Sequence, residues 1–262
     1  MKPSQQYISK CREIIDLIEQ QYDQINQVAD WFSETILAGR MVHLFGSGHS
    51  RIMVEEMWPR YGSFPGFNPI VELSLTFHNN VAGTNGQRQA MYLENVSGFA
   101  QHILRNFDLS EIDSALVISS GGTNIVPIEI AQGFKGAGMK VVGMVGVRHS
   151  EASESKHPEN LKLTDTVDLI LDNGVPPGDS MVQVDGLDTP VSPGSTVGGV
   201  ALINAVKAEV ADRLTKAGHP PIVLTASCLV GNERASHLFE SAYDEHAHRI
   251  SKLYQKIGKL KE

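Results

Sequence analysis

Short runs rich in Val, Ile and Leu alternate along this chain with longer helical stretches, and several of the runs lead directly into glycine and serine. Six such runs are predicted to be strands: 41–45, 70–75, 115–119, 140–145, 167–171 and 222–226. Helices are predicted between them, chiefly over 50–57, 125–135 and 195–216. This alternation is typical of a parallel sheet with helices on both faces, because each crossover between parallel strands needs a connecting helix. The sequence therefore predicts a three-layer α/β/α sandwich.

Both ends of the chain are predicted to be helical. Residues 5–37 carry apolar side chains in alternating steps of three and four: Ile8, Cys11, Ile15, Ile18, Tyr22, Ile25, Ala29, Phe32 and Ile36. This 3.5-residue repeat predicts packing against another helix, from the same chain or from a partner subunit. An amphipathic helix is predicted over 233–257. We therefore expect one domain, with an N-terminal helical segment (1–38), a core (39–230) and a C-terminal helix (231–262).

The composition excludes several classes of partner. The 262 residues carry a net charge of −8, whereas nucleic-acid-binding domains usually present a basic stripe. No apolar run reaches the roughly 20 residues that span a bilayer, and the polar first ten residues do not resemble a signal peptide. The two cysteines, Cys11 and Cys228, do not form a disulfide framework. We expect a cytoplasmic protein with neither a nucleic acid nor a membrane as partner.

Three glycine- and serine-rich junctions precede or begin predicted helices: GSGHS at 46–50, SSGGTN at 119–124 and PGST at 193–196. A helix start leaves backbone N–H groups unpaired and carries the positive end of the helix dipole, so it attracts anions. Glycine lets a phosphate approach the backbone, and serine or threonine hydroxyls add donors. Because ligands of parallel sheets bind at the carboxyl ends of the strands, the three junctions together predict a phosphate-binding site.

Two other interpretations fit single junctions. Each one is also compatible with an ordinary turn and a Ser or Thr helix cap. The first junction partly matches the dinucleotide-binding fingerprint, and Glu72 stands at a suitable distance to hold a ribose. However, Arg51 occupies the position where that fingerprint requires its third glycine.

The segments FGSGHS, VISSGGTN and PGSTVGGVALINAV resemble the SIS-domain family, whose members bind or isomerise sugar phosphates. The resemblance covers about residues 35–230 and is strongest to stand-alone bacterial SIS proteins, with phosphoheptose isomerases more distant. It implies a five-stranded parallel sheet, a homodimer or homotetramer, and an active site near the subunit interface. The second junction departs from the usual Ser-x-Ser-Gly-x-Ser/Thr pattern, since one alignment places Gly121 at the second serine and the other needs an extra residue downstream.

The substrate-binding residues are expected in these junctions. They are predicted to be Gly46, Ser47, Gly48, His49, Ser50, Ser119, Ser120, Gly122, Thr123, Asn124, Ser195 and Thr196.

Moving a proton between two sugar carbons requires a general base that is ionised near neutral pH, usually a carboxylate, and often a histidine that opens the ring. Glu56, on the helix after the first junction, and Glu94 are the candidate bases. Ungapped comparison with phosphoheptose isomerases places Arg60, not a glutamate, at their base position. His78, in a polar loop, and His237, on the late helix where family members place a histidine, are the candidates for ring opening.

The sequence thus predicts a sugar-phosphate-binding protein that acts as an aldose–ketose isomerase through an enediol. A regulatory module that binds a sugar phosphate without turnover is one alternative. A lyase or etherase of a phosphorylated amino sugar is another. No metal-ligand spacing is convincing, and we expect neither a metal nor another cofactor.

Overall fold

The computed structural model describes residues 1–76 and 86–254. Its five strands form one parallel sheet in the order β2-β1-β3-β4-β5. The strands are β1 (Val42–Gly46), β2 (Phe67–Ile70), β3 (Ser114–Ile118), β4 (Lys140–Val145) and β5 (Leu169–Asp172). The predicted five-stranded parallel sheet is confirmed.

Ten α-helices are assigned in the described residues, and they lie on both faces of the sheet or extend from it. They are α1 (Pro3–Glu19), α2 (Tyr22–Leu37), α3 (Arg51–Met57), α4 (Gln87–Leu93), α5 (Phe99–Leu104), α6 (Ile125–Gly136), α7 (Val147–Glu151), α8 (Ser195–Lys216), α9 (Ser227–Val230) and α10 (Asn232–Leu253). Alternate residues along each central strand feed two separate cores. Leu44, Leu116 and Val142 pack beneath α2, α3 and α8, whereas Phe45 and Val117 pack beneath α5 and α6.

The helical segment predicted over 5–37 is present, but it forms two helices rather than one, because the chain breaks at Gln20–Gln21 between α1 and α2. The Gln21 side chain explains the break. It donates to the Asp172 carbonyl and accepts from the Asp172 N–H, both at 2.8 Å, and so ties this turn to the end of β5. The apolar repeat continues across the break, and its second half, including Ala29 and Phe32, packs on α8.

The run 222–226 is not a strand of the sheet. Leu224 instead exchanges backbone hydrogen bonds with the turn before β2: its N–H donates to the Ser63 carbonyl, and its own carbonyl accepts from Gly62. The run follows Pro220–Pro221, and its β-type residues are half-buried beside this turn.

The chain order places a topological switch in the middle of the sheet. From β1 the chain adds β2 on one side, and it then crosses to add β3 on the other side of β1. The connections leaving β1 and β3 therefore diverge at the carboxyl edge, which is where open α/β sheets hold their ligands. The start of α8 closes over the same edge. A Cβ on Gly198 would lie 1.9 Å from the Asn173 carbonyl oxygen, so only glycine allows this approach.

Candidate functional site

A cavity of about 350 Å³ lies at the carboxyl edge of the sheet, beside the switch between β1 and β3. All three glycine- and serine-rich junctions contribute to its wall. The predicted residues that line it are Ser47, Gly48, His49, Ser50, Ser119, Ser120, Asn124, Ser195, Thr196 and Glu94. Gly46, Gly122 and Thr123 do not line it. The fold thus brings together chain segments that lie up to about 150 residues apart.

The first junction turns sharply out of β1. A Cβ on Gly46 would lie 2.7 Å from the Ser50 carbonyl oxygen, and Gly48 adopts a positive φ of 56°. These two glycines let the chain fold back at once into a short turn before α3. The turn presents Ser47 and His49 to the cavity.

The second junction provides the most open set of donors. The Ser119 hydroxyl accepts the Gly122 N–H at 3.2 Å, which closes the loop that leads into α6. Ser120 lines the cavity, and its hydroxyl oxygen is buried without a hydrogen-bond partner in the described structure. A buried hydroxyl without a partner costs free energy, so a ligand that accepts its hydrogen bond recovers that cost.

The third junction is already occupied by a carboxylate of the chain itself. Asp179 accepts the Gly194 and Ser195 N–H groups at 2.8 and 3.0 Å, and the Ser195 hydroxyl donates to it at 2.5 Å. The start of α8 is therefore capped from within. An added phosphate would meet a negative charge there, so the second junction is the better anion site.

Glu94 contributes a buried carboxylate to the cavity wall, with 8% of the residue exposed. Its Oε2 accepts a hydrogen bond of 2.5 Å from Asn124 Nδ2, and the Ser47 hydroxyl also contacts the carboxylate. Burial raises the pKa of Glu94 above the ordinary glutamate value; the Ser47 hydrogen bond, the Lys156 charge and the Asn124 hydrogen bond lower it and offset burial only in part. A raised pKa gives this carboxylate more proton affinity than an ordinary glutamate, which favours a role in proton transfer.

The sequence comparisons identify the family. A model of the SIS domain matches residues 6–146, which is more than half of the chain. The chain belongs to the SIS-domain family. It is similar to the UPF0309 protein of Geobacillus kaustophilus strain HTA426, with 32% identity over 85% of this chain and 87% of the relative. It is also 31% identical to the UPF0309 protein of Brucella canis strain ATCC 23365, over 86% of this chain and 89% of the relative.

A comparison with solved structures supports the fold. The structure of a phosphoheptose isomerase from Francisella tularensis matches with a TM-score of 0.50 and 13% identity, over 78% of this chain and 93% of that one. At this identity the match shows a shared SIS fold and no more.

The other predicted catalytic residues of this SIS domain lie away from the cavity or outside the described residues. Glu56 faces α8, where it pairs with Arg60 at 2.5 Å and accepts from Asn204 at 2.9 Å. His237 is exposed on α10 and does not line the cavity of its own chain. His78 falls within 77–85, outside the described residues. Of the predicted acids and histidines, Glu94 and His49 therefore remain at the cavity.

Sequence reasoning missed several residues of the cavity wall. Asn173 and Asp179 follow β5, and the position just beyond a parallel strand was an available signal for Asn173. Asp179 had no comparable signal, because it lies in a loop rich in Pro, Gly and Asp. Other lining residues that were not predicted are Met53, Gln87, Met91, Ile118, Gly121 and Pro193.

Two kinds of feature are not found in the described part of this SIS domain. Residues 1–76 and 86–254 contain no group of three or more His, Cys, Asp or Glu side chains arranged to hold a metal ion. No helix within those ranges is long and apolar enough to cross a bilayer.

Among the described residues that line the cavity, none is a lysine or an arginine.

Proposed function

We propose that this SIS domain binds a phosphorylated sugar in the cavity at the carboxyl edge and interconverts its aldose and ketose forms. The observation that carries the proposal is that one cavity is lined both by Ser120, whose buried hydroxyl has no hydrogen-bond partner in the described structure, and by Glu94, whose carboxylate is buried. The first is suited to a phosphate oxygen and the second to proton transfer.

The phosphate is assigned to the 119–124 loop at the start of α6. This helix has 12 residues, so its amino end carries a substantial positive dipole, and Gly121, which lines the cavity, lets an anion approach the backbone. The Ser120 hydroxyl adds a donor. The α8 start is a weaker candidate, because Asp179 already accepts its N–H groups.

Glu94 is assigned as the base. In its ionised form it removes the proton from C2 of the open-chain aldose, and the C2–H electrons form the enediol double bond as the carbonyl oxygen gains a proton. Return of the proton to C1, with loss of the proton from the C2 hydroxyl, gives the ketose. Because the pKa of Glu94 is raised, its carboxylic acid form is favoured after it takes the proton and can hold that proton until it returns to C1. His49, which lines the cavity, is assigned to ring opening.

The relatives support this proposal by analogy of fold. The matching Francisella tularensis protein is a phosphoheptose isomerase. Its identity to this chain is low, so the chemistry here depends on the residues of the cavity.

Two measurements test the proposal in sequence. A thermal-shift panel should show a higher melting temperature with hexose or pentose phosphates and little change with the unphosphorylated sugars at equal concentration. Incubation of a stabilising sugar phosphate in deuterated water should then place deuterium at C1 or C2. Equal stabilisation by both classes contradicts phosphate recognition, and binding without exchange favours a regulatory module without turnover.

We also propose that the chain is a homo-oligomer, as its N-terminal repeat predicts. The first half of that repeat leaves Ile8, Ile15 and Tyr22 exposed on α1 and at the start of α2. An assembly would cover this apolar stripe and would be needed for His237 to approach a cavity. Sedimentation at micromolar concentration should give a dimer or a tetramer, and a monomer would contradict the proposal.

A further inference from the structure

Lys156 lies just outside the cavity and contacts the phosphate loop twice. Its backbone N–H donates to the Thr123 carbonyl at 3.0 Å, and its Nζ donates to Asn124 Oδ1 at 2.8 Å. Asn124 Nδ2 in turn donates to Glu94 Oε2 at 2.5 Å. The ammonium, the amide and the carboxylate therefore form one continuous chain of hydrogen bonds.

Lys156 and Glu94, at the two ends of this series of hydrogen bonds, fix the orientation of the Asn124 amide. If the amide were reversed, its NH₂ group would face the Lys156 ammonium and its oxygen would face the Glu94 carboxylate. Both contacts would be repulsive. In the orientation observed, the lysine polarises the amide so that its N–H is a stronger donor to Glu94.

The electrostatic surroundings of Glu94 make this lysine important. The other titratable side chains on the cavity wall are His49, in the turn after β1, and Asp179, in the turn after β5. No lysine or arginine of the described chain lines the cavity, and Lys156 is the cation that favours the ionised form of Glu94.

We propose that Lys156 is a positioning residue for Glu94, acting through the Asn124 amide to hold the carboxylate in place and in its ionised form. This inference rests on the proposed function for its catalytic meaning. The contacts themselves do not depend on it.

The structure offers a matched control on the same segment. Lys162 also tethers this segment, since its Nζ donates to the Ser150 carbonyl at 2.6 Å, but it does not contact Asn124. Lys162→Met therefore removes a lysine hydrogen bond from the same segment and leaves the hydrogen bonds from Lys156 through Asn124 to Glu94 intact. Lys156→Arg keeps the positive charge.

The test measures ionisation of Glu94 directly, without a need for turnover. Side-chain carboxyl carbons are labelled with ¹³C in all glutamates, and the Glu94 signal is identified by its absence in Glu94→Gln. In Lys156→Met the signal should titrate at a higher pH than in the wild type, because the ionised form has lost its cation. In Lys156→Arg and Lys162→Met it should titrate as in the wild type. An unchanged titration in Lys156→Met, or an equal change in Lys162→Met, overturns the proposal.

Deuterium exchange adds the catalytic consequence. At a pH below the pKa of Glu94, Lys156→Met should exchange about three- to tenfold more slowly than the wild type, and the deficit should close as the pH rises, since a tenfold change in the ionised fraction corresponds to one pKa unit. An exchange rate equal to that of the wild type at every pH contradicts the assigned role. If the wild type shows no exchange, the proposed isomerisation fails, but the carboxyl titration still decides whether Lys156 acts on Glu94.

Discussion

Glu94 and Glu56 are two partly or fully buried glutamates in one SIS domain, and their surroundings shift the carboxyl pKa in opposite directions. Glu94 meets two neutral donors and reaches a lysine only through an amide, so burial prevails and its pKa is raised. At Glu56, burial alone would raise the pKa, but hydrogen bonds from Asn204 and Arg60 outweigh it and the pKa is lowered. Glu56 is a fully paired structural acid, whereas Glu94 keeps proton affinity beside an open cavity.

The groups around the two acids show the same contrast. Lys207 is buried beside Glu56, and burial lowers its pKa to about 8. Its Nζ donates to the Glu56 carbonyl at 2.7 Å, to Ser63 at 3.1 Å and to Asn204 at 3.1 Å. On the wall of the cavity that Glu94 lines, by contrast, the Ser120 hydroxyl has no hydrogen-bond partner among the described residues. A cluster whose polar groups are all satisfied stabilises the fold, whereas the unmet donor leaves a hydrogen bond for the proposed ligand to make.

The largest expected effect separates the two glutamates by activity. Glu94→Gln should slow deuterium exchange into a bound sugar phosphate by about 10²–10⁴-fold, because a general base is lost. Glu56→Gln is the matched control and should remain within a few-fold of the wild type. The rates are measured by NMR of the sugar protons. Comparable losses in both variants would remove the distinction between the two sites.

The next largest effect is on stability, and it concerns the cluster formed by Glu56, Ser63, Asn204 and Lys207. Lys207→Met should lower the free energy of unfolding by about 1–3 kcal/mol, since the buried Ser63 hydroxyl, the Glu56 carbonyl and the Asn204 amide oxygen lose their shared donor. Sugar-phosphate binding should persist in the folded variant. Urea unfolding and a thermal-shift titration measure the two quantities. Unchanged stability would show that the cluster is not structural.

Much of the architecture was predictable from the sequence because its signals are local. The bounds of β4 and α8 agree with the predicted 140–145 and 195–216, where Gly and Pro flank clear apolar patterns. The break at Gln20–Gln21 was not predictable, because the apolar repeat continues through it and the cause is a hydrogen bond to distant Asp172.

The site was predictable in part for the same reason. Glycine- and serine-rich junctions after strands carry a recognisable signal, and the fold brings them to one cavity. The choice between Glu56 and Glu94 depended on which face of a helix each one presents and on what packs against it. The contact between Lys156 and Asn124 joins residues 32 positions apart, and no local pattern encodes it.

The pH dependence of stability should have opposite signs at the two glutamates. A raised folded-state pKa means that ionisation costs stability, so Glu94 penalises the fold as the pH rises from the ordinary glutamate range through that value. The lowered pKa of Glu56 means that its ionised form stabilises the fold at pH values above the ordinary glutamate pKa. This stabilisation is lost as the pH falls through the pKa of Glu56 in the folded state.

Urea unfolding across a pH series tests this contrast. The change in the free energy of unfolding caused by Glu94→Gln should be more stabilising near neutral pH than at pH 4. The change caused by Glu56→Gln should be more destabilising near neutral pH than at low pH. The same sign in both variants would contradict the assigned environments.

The smallest expected effect is at Ser120. Ser120→Ala should weaken binding of a sugar phosphate by about 0.5–1.5 kcal/mol, the usual net value of a hydrogen bond. The stability of the unliganded protein should not fall, because the hydroxyl has no partner there to lose. Titration calorimetry with the phosphorylated sugar, and with the free sugar as control, measures the difference. A loss of fold stability without a loss of affinity would indicate a structural hydroxyl.

A crystal structure with a bound hexose or pentose phosphate tests the central claim most directly. Besides the cavity at the carboxyl edge, a second cavity of about 570 Å³ lies beside Glu56, Arg60 and Tyr243. The account predicts the phosphate on the 119–124 loop, within hydrogen-bond distance of the Ser120 hydroxyl, and C1 and C2 of the sugar facing Glu94. A phosphate beside Arg60 in the second cavity, with the carboxyl-edge cavity empty, would contradict it.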